Sequence, residues 1–216
     1  MKKNSKIFIQ GHKGLIGSAI HNNLITNGYT NLIICEHKEL DLTDNKKVSE
    51  FFNKSNIEIV IMAAGKVGGI NENQSQPFEF LFKNLSIQLN TFSAAIKNNV
   101  KKIIFFGSSC MYPKFCRQPM EENFLNSGEL ERSSMGYAIA KLSGLELCLS
   151  YNKQYKENRF IPLIPNSVYG PNDNFKPNQG HVLSSLIQKF HKAKLQNHNE
   201  VELWGSGSPR REFLHS

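Results

Sequence analysis

The sequence predicts an α/β chain, a Rossmann-like doubly wound parallel sheet followed by the beginning of a smaller C-terminal substrate-binding domain. Three observations predict it. Short apolar runs alternate with longer segments of helical periodicity, the pattern of a parallel sheet covered by helices on both faces. The first run leads straight into GHKGLIG at residues 11–17, a strand, a glycine turn and a helix start in immediate succession. After about Pro165 the texture changes to Asn-, Gly-, Ser- and Pro-rich turns. That change divides a dinucleotide-binding part, 1–165, from a partial substrate-binding part, 166–216.

The elements follow in order. Residues 6–10 read as a short buried strand, and residues 18–27 as the helix after the glycine turn. Residues 31–35 make the second strand. Asp44 is placed to cap a helix over 46–53, and residues 58–62 make the third strand. Apolar residues at helical spacing run from 77 to 99, ahead of a strand at 102–106. Ser133 or Ser134 is placed to cap a long helix reaching about Tyr155. Residues 159–164 form a further strand, and Pro162 inside it points to a sheet edge. Beyond it come turns at 166–174, 177–180 and 205–209, interrupted by a helix over 181–194.

Composition narrows the function classes. With 39% hydrophobic and 20% charged residues, the chain can bury a real core. No apolar run approaches the roughly 18 residues that a membrane span needs, and the strand after the Lys-Lys start is too short for a signal sequence. Cys35, Cys110, Cys116 and Cys148 show no metal-ligand spacing, so no metal and a reduced, cytoplasmic setting are expected. The net charge of +8 is spread along the chain with no basic helix or interleaved aromatics, against nucleic acid as a partner. It suits anionic small molecules such as dinucleotides and nucleotide-sugars.

The candidate chemistry lies in two places. Gly11, Gly14 and Gly17 allow a tight turn and close approach to a pyrophosphate. Leu15 and Ile16 open the helix whose N–H groups would meet it. Tyr137 and Lys141 stand four residues apart within a helical pattern and therefore share a face. An ammonium beside a phenol lowers its pKa and makes it a usable proton donor to a carbonyl. The strand at 102–106 delivers Ser108 to the same sheet edge, where its hydroxyl can position that carbonyl. At the end of the second strand the signals for NAD and NADP are mixed. Glu36 suits a ribose 2′-hydroxyl, whereas Lys13, His37 and Lys38 suit a 2′-phosphate.

A glycine loop at 11–17 with Ser108 and Tyr137-x-x-x-Lys141 resembles the extended short-chain dehydrogenase/reductase family. Longer strings resemble its GDP-L-fucose synthase branch: AAGKVGG at 63–69, GSSCMYPK at 107–114, YGPNDNF at 169–175, WGSG at 204–207 and REF at 211–213. The resemblance runs through essentially the whole chain. It implies an NADP(H) cofactor, although the family typically presents arginine where this chain has Lys13 and His37. It places Asp41 and Leu42 beside the adenine, and Ala63 and Ala64 along the cofactor. Pro165, Asn166, Val168, Tyr137, Lys141 and His181 complete its cofactor contacts. It also makes Cys110 the base and His181 the acid of an epimerisation flanking a keto group, with Ser108, Tyr137 and Lys141 serving a reduction. Lys189, Trp204 and Arg211 are its contacts to the GDP part of a GDP-sugar substrate. The helices at 77–99 and 133–155 are implied to form a homodimer surface. The family continues well beyond residue 215, so much of the second domain is expected to be absent, and this chain alone is expected to bind NADPH but to turn over GDP-keto sugar poorly.

Overall fold

The structure, a computed structural model, describes residues 2–176 and 180–216. Strand β1 (Ile7–Gln10) leads into helix α1 (Leu15–Thr26), strand β2 (Leu32–Ile33), helix α2 (Asn45–Ser55) and strand β3 (Ile59–Met62). Helices α3 (Ile70–Ser75) and α4 (Pro77–Lys97) precede strand β4 (Lys102–Phe106), helix α5 (Met135–Tyr155) and strand β5 (Phe160–Leu163). Strand β6 (Ser167–Tyr169), helix α6 (Val182–Leu195) and strand β7 (Phe213–His215) follow.

The first five strands form one all-parallel sheet in the order β2-β1-β3-β4-β5. Chain direction across the sheet reverses at β1, so a crevice opens between the carboxyl ends of β1 and β3, the switch point where such folds bind ligands. Both faces of the sheet are covered, which explains why β1 and β3 are apolar without alternation. On one face Phe8, Val60, Ile103 and Phe105 join Val48 and Phe52 of α2, Phe92 of α4, and Leu145 and Cys148 of α5. On the other, Ile7, Ile9, Ile59 and Ile61 pack with Leu24 of α1. Each buried aromatic or aliphatic side chain stabilises this arrangement by roughly 1.5–3 kcal/mol.

Several boundaries differ from the sequence reading, each for a local reason. Helix α1 begins at Leu15 because Gly14 itself is the N-cap residue, so the glycine turn flows into the helix without a spacer. Strand β2 shrinks to two residues, since it lies at the sheet edge with β1 as its one partner. Asp44 caps α2 as expected, accepting from the Lys47 amide at 3.1 Å. Neither Ser133 nor Ser134 caps the Tyr137 helix through its side chain. Glu131 instead accepts from the Ser133 amide at 3.2 Å and starts a 3-10 turn (Arg132–Ser134) that runs into α5.

Pro162 does sit on an edge strand, β5. Beside it Asn152 pairs with the backbone of Phe160 in both directions, donating to its carbonyl at 2.7 Å and accepting from its amide at 3.1 Å. Strands β6 and β7 pair in parallel, Ser167 with Phe213 and Tyr169 with His215, a separate ladder inside what reads as turns. The expected turn at 177–180 falls largely on 177–179, outside the described residues. Among the described residues no helix is long and apolar enough to cross a membrane.

Candidate active site

The glycine loop is built by close backbone contacts. Gly11 has φ +72°, and a Cβ there would lie 2.7 Å from the Ala63 carbonyl oxygen. A Cβ on Gly17 would lie 2.1 Å from the Gly11 carbonyl oxygen. Loop, helix and the Ala63-Ala64 segment are therefore pressed together in a way that only glycine at 11 and 17 permits. The first turn of α1 carries no acidic residue, leaving its amide dipoles uncompensated and directed at the crevice. A dinucleotide pyrophosphate fits this donor set.

At the end of β2, Glu36 accepts from Lys13 and lies 3.2 Å from the Lys38 ammonium. Hydrogen bonds from Lys13 and then Lys38 hold its carboxyl below the usual range. His37 is exposed, its ring 3.9 Å from Asp41. Asp41 is occupied as a turn residue, accepting from the Thr43 amide at 2.9 Å and hydroxyl at 2.7 Å. The Leu42 carbonyl accepts from Asn90 at 3.0 Å.

Four of the expected catalytic residues come together at the carboxyl end of β4. The Ser108 hydroxyl starts a 3-10 turn (Ser109–Met111) by accepting from the Cys110 amide at 3.4 Å, which fixes the thiol relative to the hydroxyl. The Ser108 hydroxyl also acts on the Tyr137 phenol, lowering its pKa against the effect of burial. The Lys141 ammonium stands 5.7 Å from the Tyr137 ring centroid and donates to the Phe106 carbonyl at 2.7 Å. Helix α5 gets this near because residue 144 is glycine: a Cβ there would lie 2.4 Å from the Phe105 ring.

The electrostatics correct one expectation. Burial pushes the Tyr137 phenol above its ordinary value, Cys110 adds to the rise, and the Ser108 hydrogen bond opposes it. Burial also brings Lys141 down from 10.5 to about 8, with Cys110 pulling the other way. Desolvation thus dominates at the phenol, and the neighbouring lysine does not offset it.

The remaining candidates are carried by other elements. His181 is the N-cap residue of α6, its ring 3.7 Å from the buried Asp173 carboxylate. Asn166 donates to Glu212 at 2.8 Å, Val168 pairs with Leu214, and Pro165 links β5 to β6. Trp204 is 68% exposed, and the Lys189 ammonium stands 5.3 Å over its ring. Arg211 is exposed.

Sequence reading missed the residues that hold the crevice wall. Asn84 accepts from the Lys66 amide at 3.0 Å and donates to its carbonyl at 2.9 Å. The Lys66 ammonium pairs with Glu72 at 3.0 Å and stands 4.7 Å over Phe80, whose ring meets Tyr137 edge-on. A buried asparagine within an apolar helical stripe was the available signal for the first. Asp173, eight residues before His181, was legible only as a member of the YGPNDNF string.

A parallel sheet in this order with a glycine loop at its switch point defines a Rossmann-like α/β chain. Residues 7–216 match the NAD dependent epimerase/dehydratase family, and the chain belongs to it. It is 48% identical over 215 residues to "Putative GDP-L-fucose synthase 2" of Arabidopsis thaliana, covering 100% of this chain and 65% of that protein. It is 45% identical over 210 residues to "GDP-L-fucose synthase" of Escherichia coli (strain K12), covering 97% of this chain and 65% of that one. Among solved structures, a GDP-D-glycero-L-gluco-heptose synthase from Campylobacter jejuni, crystallised in the presence of NADPH, superposes with a TM-score of 0.92. It is 38% identical, over 100% of this chain and 71% of that one. The chain spans about 65% of the length of the two curated relatives.

Proposed function

We propose that this chain provides the dinucleotide site and the reaction centre of an NADP(H)-dependent epimerase-reductase that makes GDP-L-fucose from GDP-4-keto-6-deoxy-D-mannose. The observation that carries the reading is Cys110 beside the Ser108–Tyr137–Lys141 group, because carbonyl reduction alone has no use for a thiol. Relatives at 45–48% identity named GDP-L-fucose synthase support the substrate. The pyrophosphate would lie on Gly11, Gly14 and the start of α1, the 2′-phosphate near Lys13, and the nicotinamide end toward Lys141. When bound, the cofactor supplies the reducing equivalent for C4.

The protein's own part is proton traffic and orientation. Protons on C3 and C5 are acidic because the C4 carbonyl stabilises the resulting carbanion. Cys110, as thiolate, removes such a proton, and His181 returns one on the opposite face, held by Asp173. Ser108 and Tyr137 hydrogen-bond the C4 oxygen and orient it, and Tyr137 gives it a proton as it becomes a hydroxyl. Lys141 then stabilises the phenolate left behind. Trp204 offers a stacking face to guanine, and Lys189 and Arg211 offer cations to the pyrophosphate. A homodimer through α4 and α5, in the cytoplasm, belongs to the same reading. A second reading, an enzyme that makes a GDP-heptose, has the Campylobacter structure in its favour.

Incubation of a full-length version, one that continues through the rest of the substrate-binding domain, with NADPH and GDP-4-keto-6-deoxy-D-mannose in deuterium oxide tests the proposal. Deuterium is expected at C3 and C5 of GDP-L-fucose. Cys110→Ala should keep reduction without deuterium, and Tyr137→Phe should keep deuterium exchange without reduction. Reduced product free of deuterium from the parent protein would leave Cys110 without its role.

A further inference from the structure

Three charged side chains join the glycine loop to the end of β2 in a way that a phosphate-reading site alone does not explain. One oxygen of Glu36 accepts from Lys13 in the loop, and the other lies 3.2 Å from Lys38. His37 is turned to Asp41 at 3.9 Å. Each cation offered to a 2′-phosphate is therefore already engaged by an acid of this chain. Glu36 lies three residues beyond the last residue of β2, and its contact with Lys13 puts it against the loop. This is where an acid meets the ribose hydroxyls in NAD-binding members of the fold.

Charge and hydrogen-bond capacity decide what such a cluster reads. Lys13 and Lys38 carry two positive charges and Glu36 one negative, a net of one. A 2′-phosphate, with about two negative charges near neutrality, must take the lysines from Glu36 and then sit beside its carboxylate. A 2′-hydroxyl donates a hydrogen bond to that carboxylate, which has acceptor sites beyond the two lysines, so neither pair has to break. All three side chains reach solvent, and exposed ion pairs exchange partners at little cost. Both cofactors can therefore be accommodated by rearranging the same three residues.

We infer that Glu36 is a specificity-determining residue that makes this a dual cofactor site, accepting NADH as well as NADPH. The inference rests on the dinucleotide reading above and deepens it.

Direct titration of NADPH and NADH against the protein, followed by fluorescence of the bound reduced nicotinamide, tests it without turnover. The parent is expected to bind both within about tenfold of each other. Glu36→Gln removes the repulsion and the charged acceptor together. It should tighten NADPH and weaken NADH, widening their ratio by about tenfold or more. Lys38→Ala should weaken NADPH and leave NADH unchanged, and added salt should weaken NADPH more steeply. An unchanged ratio in Glu36→Gln overturns the inference while leaving the dinucleotide reading intact. A parent that binds neither cofactor overturns both.

Discussion

Lys141 is the residue on which stability and chemistry pull in opposite directions. It is 6% exposed, and burial sets its pKa at about 8. Between pH 8 and 10.5 the unfolded chain holds a proton that the folded chain has released, so stability rises with pH across this window. That stabilisation is lost as pH falls through 8. The swing is roughly 3 kcal/mol over the whole window. Tyr137 acts in the opposite sense above pH 10, because its buried phenol resists ionisation that the unfolded chain undergoes freely. The clean interval is therefore pH 8 to 10. Urea unfolding of the parent and Lys141→Met across it should find the parent gaining roughly 2–3 kcal/mol on the variant. A constant difference would mean that the ammonium is solvated in the folded state.

At the scale of elements, the glycine loop is the least tolerant piece of the chain. Gly17→Ala brings a Cβ to 2.1 Å from a backbone carbonyl that cannot move without unseating β1 from Ala63. A loss of roughly 1–3 kcal/mol in stability and at least tenfold in dinucleotide affinity is expected. Gly14→Ala, whose Cβ meets no protein atom nearer than 3.4 Å, should leave stability nearly unchanged. Equal effects of the two on stability would contradict the packing argument. This loop was legible in the sequence because a strand, glycines and a helix sit in unbroken succession. The strands β1 and β3 were legible for a related reason, since a run buried on both faces is largely apolar. The ladder of β6 with β7 was not, because three-residue strands 46 positions apart leave no period to read. Within the site, the grouping of Ser108, Cys110, Tyr137 and Lys141 followed from strand and helix ends. Glu131 as cap, the Asn84 clamp and the raised phenol did not, since each depends on what the tertiary fold places nearby and on how dry that place is.

For the whole molecule, the first question is what covers the outer face of the α4–α5 pair. Phe78 and Phe82 stack at 5.4 Å and are exposed, and Leu89 and Ile96 continue their stripe along α4. Ile139 and Leu147 lie exposed on α5. A contiguous apolar face of this kind is expected to be covered by a second copy of the chain. Sedimentation should therefore find a dimer that Phe82→Glu converts to monomer, and a parent monomeric at micromolar concentration would rule this surface out. The far edge of the sheet behaves differently. The carbonyls of Arg159 and Leu163 accept from β4, so by alternation Phe160 and Pro162 face outward. Asn152 already takes both backbone groups of Phe160, and Pro162 has no N–H to give. Along the described residues this edge is thus a poor template for a foreign strand, which guards it against edge-to-edge aggregation. Restoring the template with Asn152→Ala and Pro162→Val together should make the protein scatter light sooner on gentle heating than either change alone. No difference between them would mean that this edge is guarded by something other than its own hydrogen bonds.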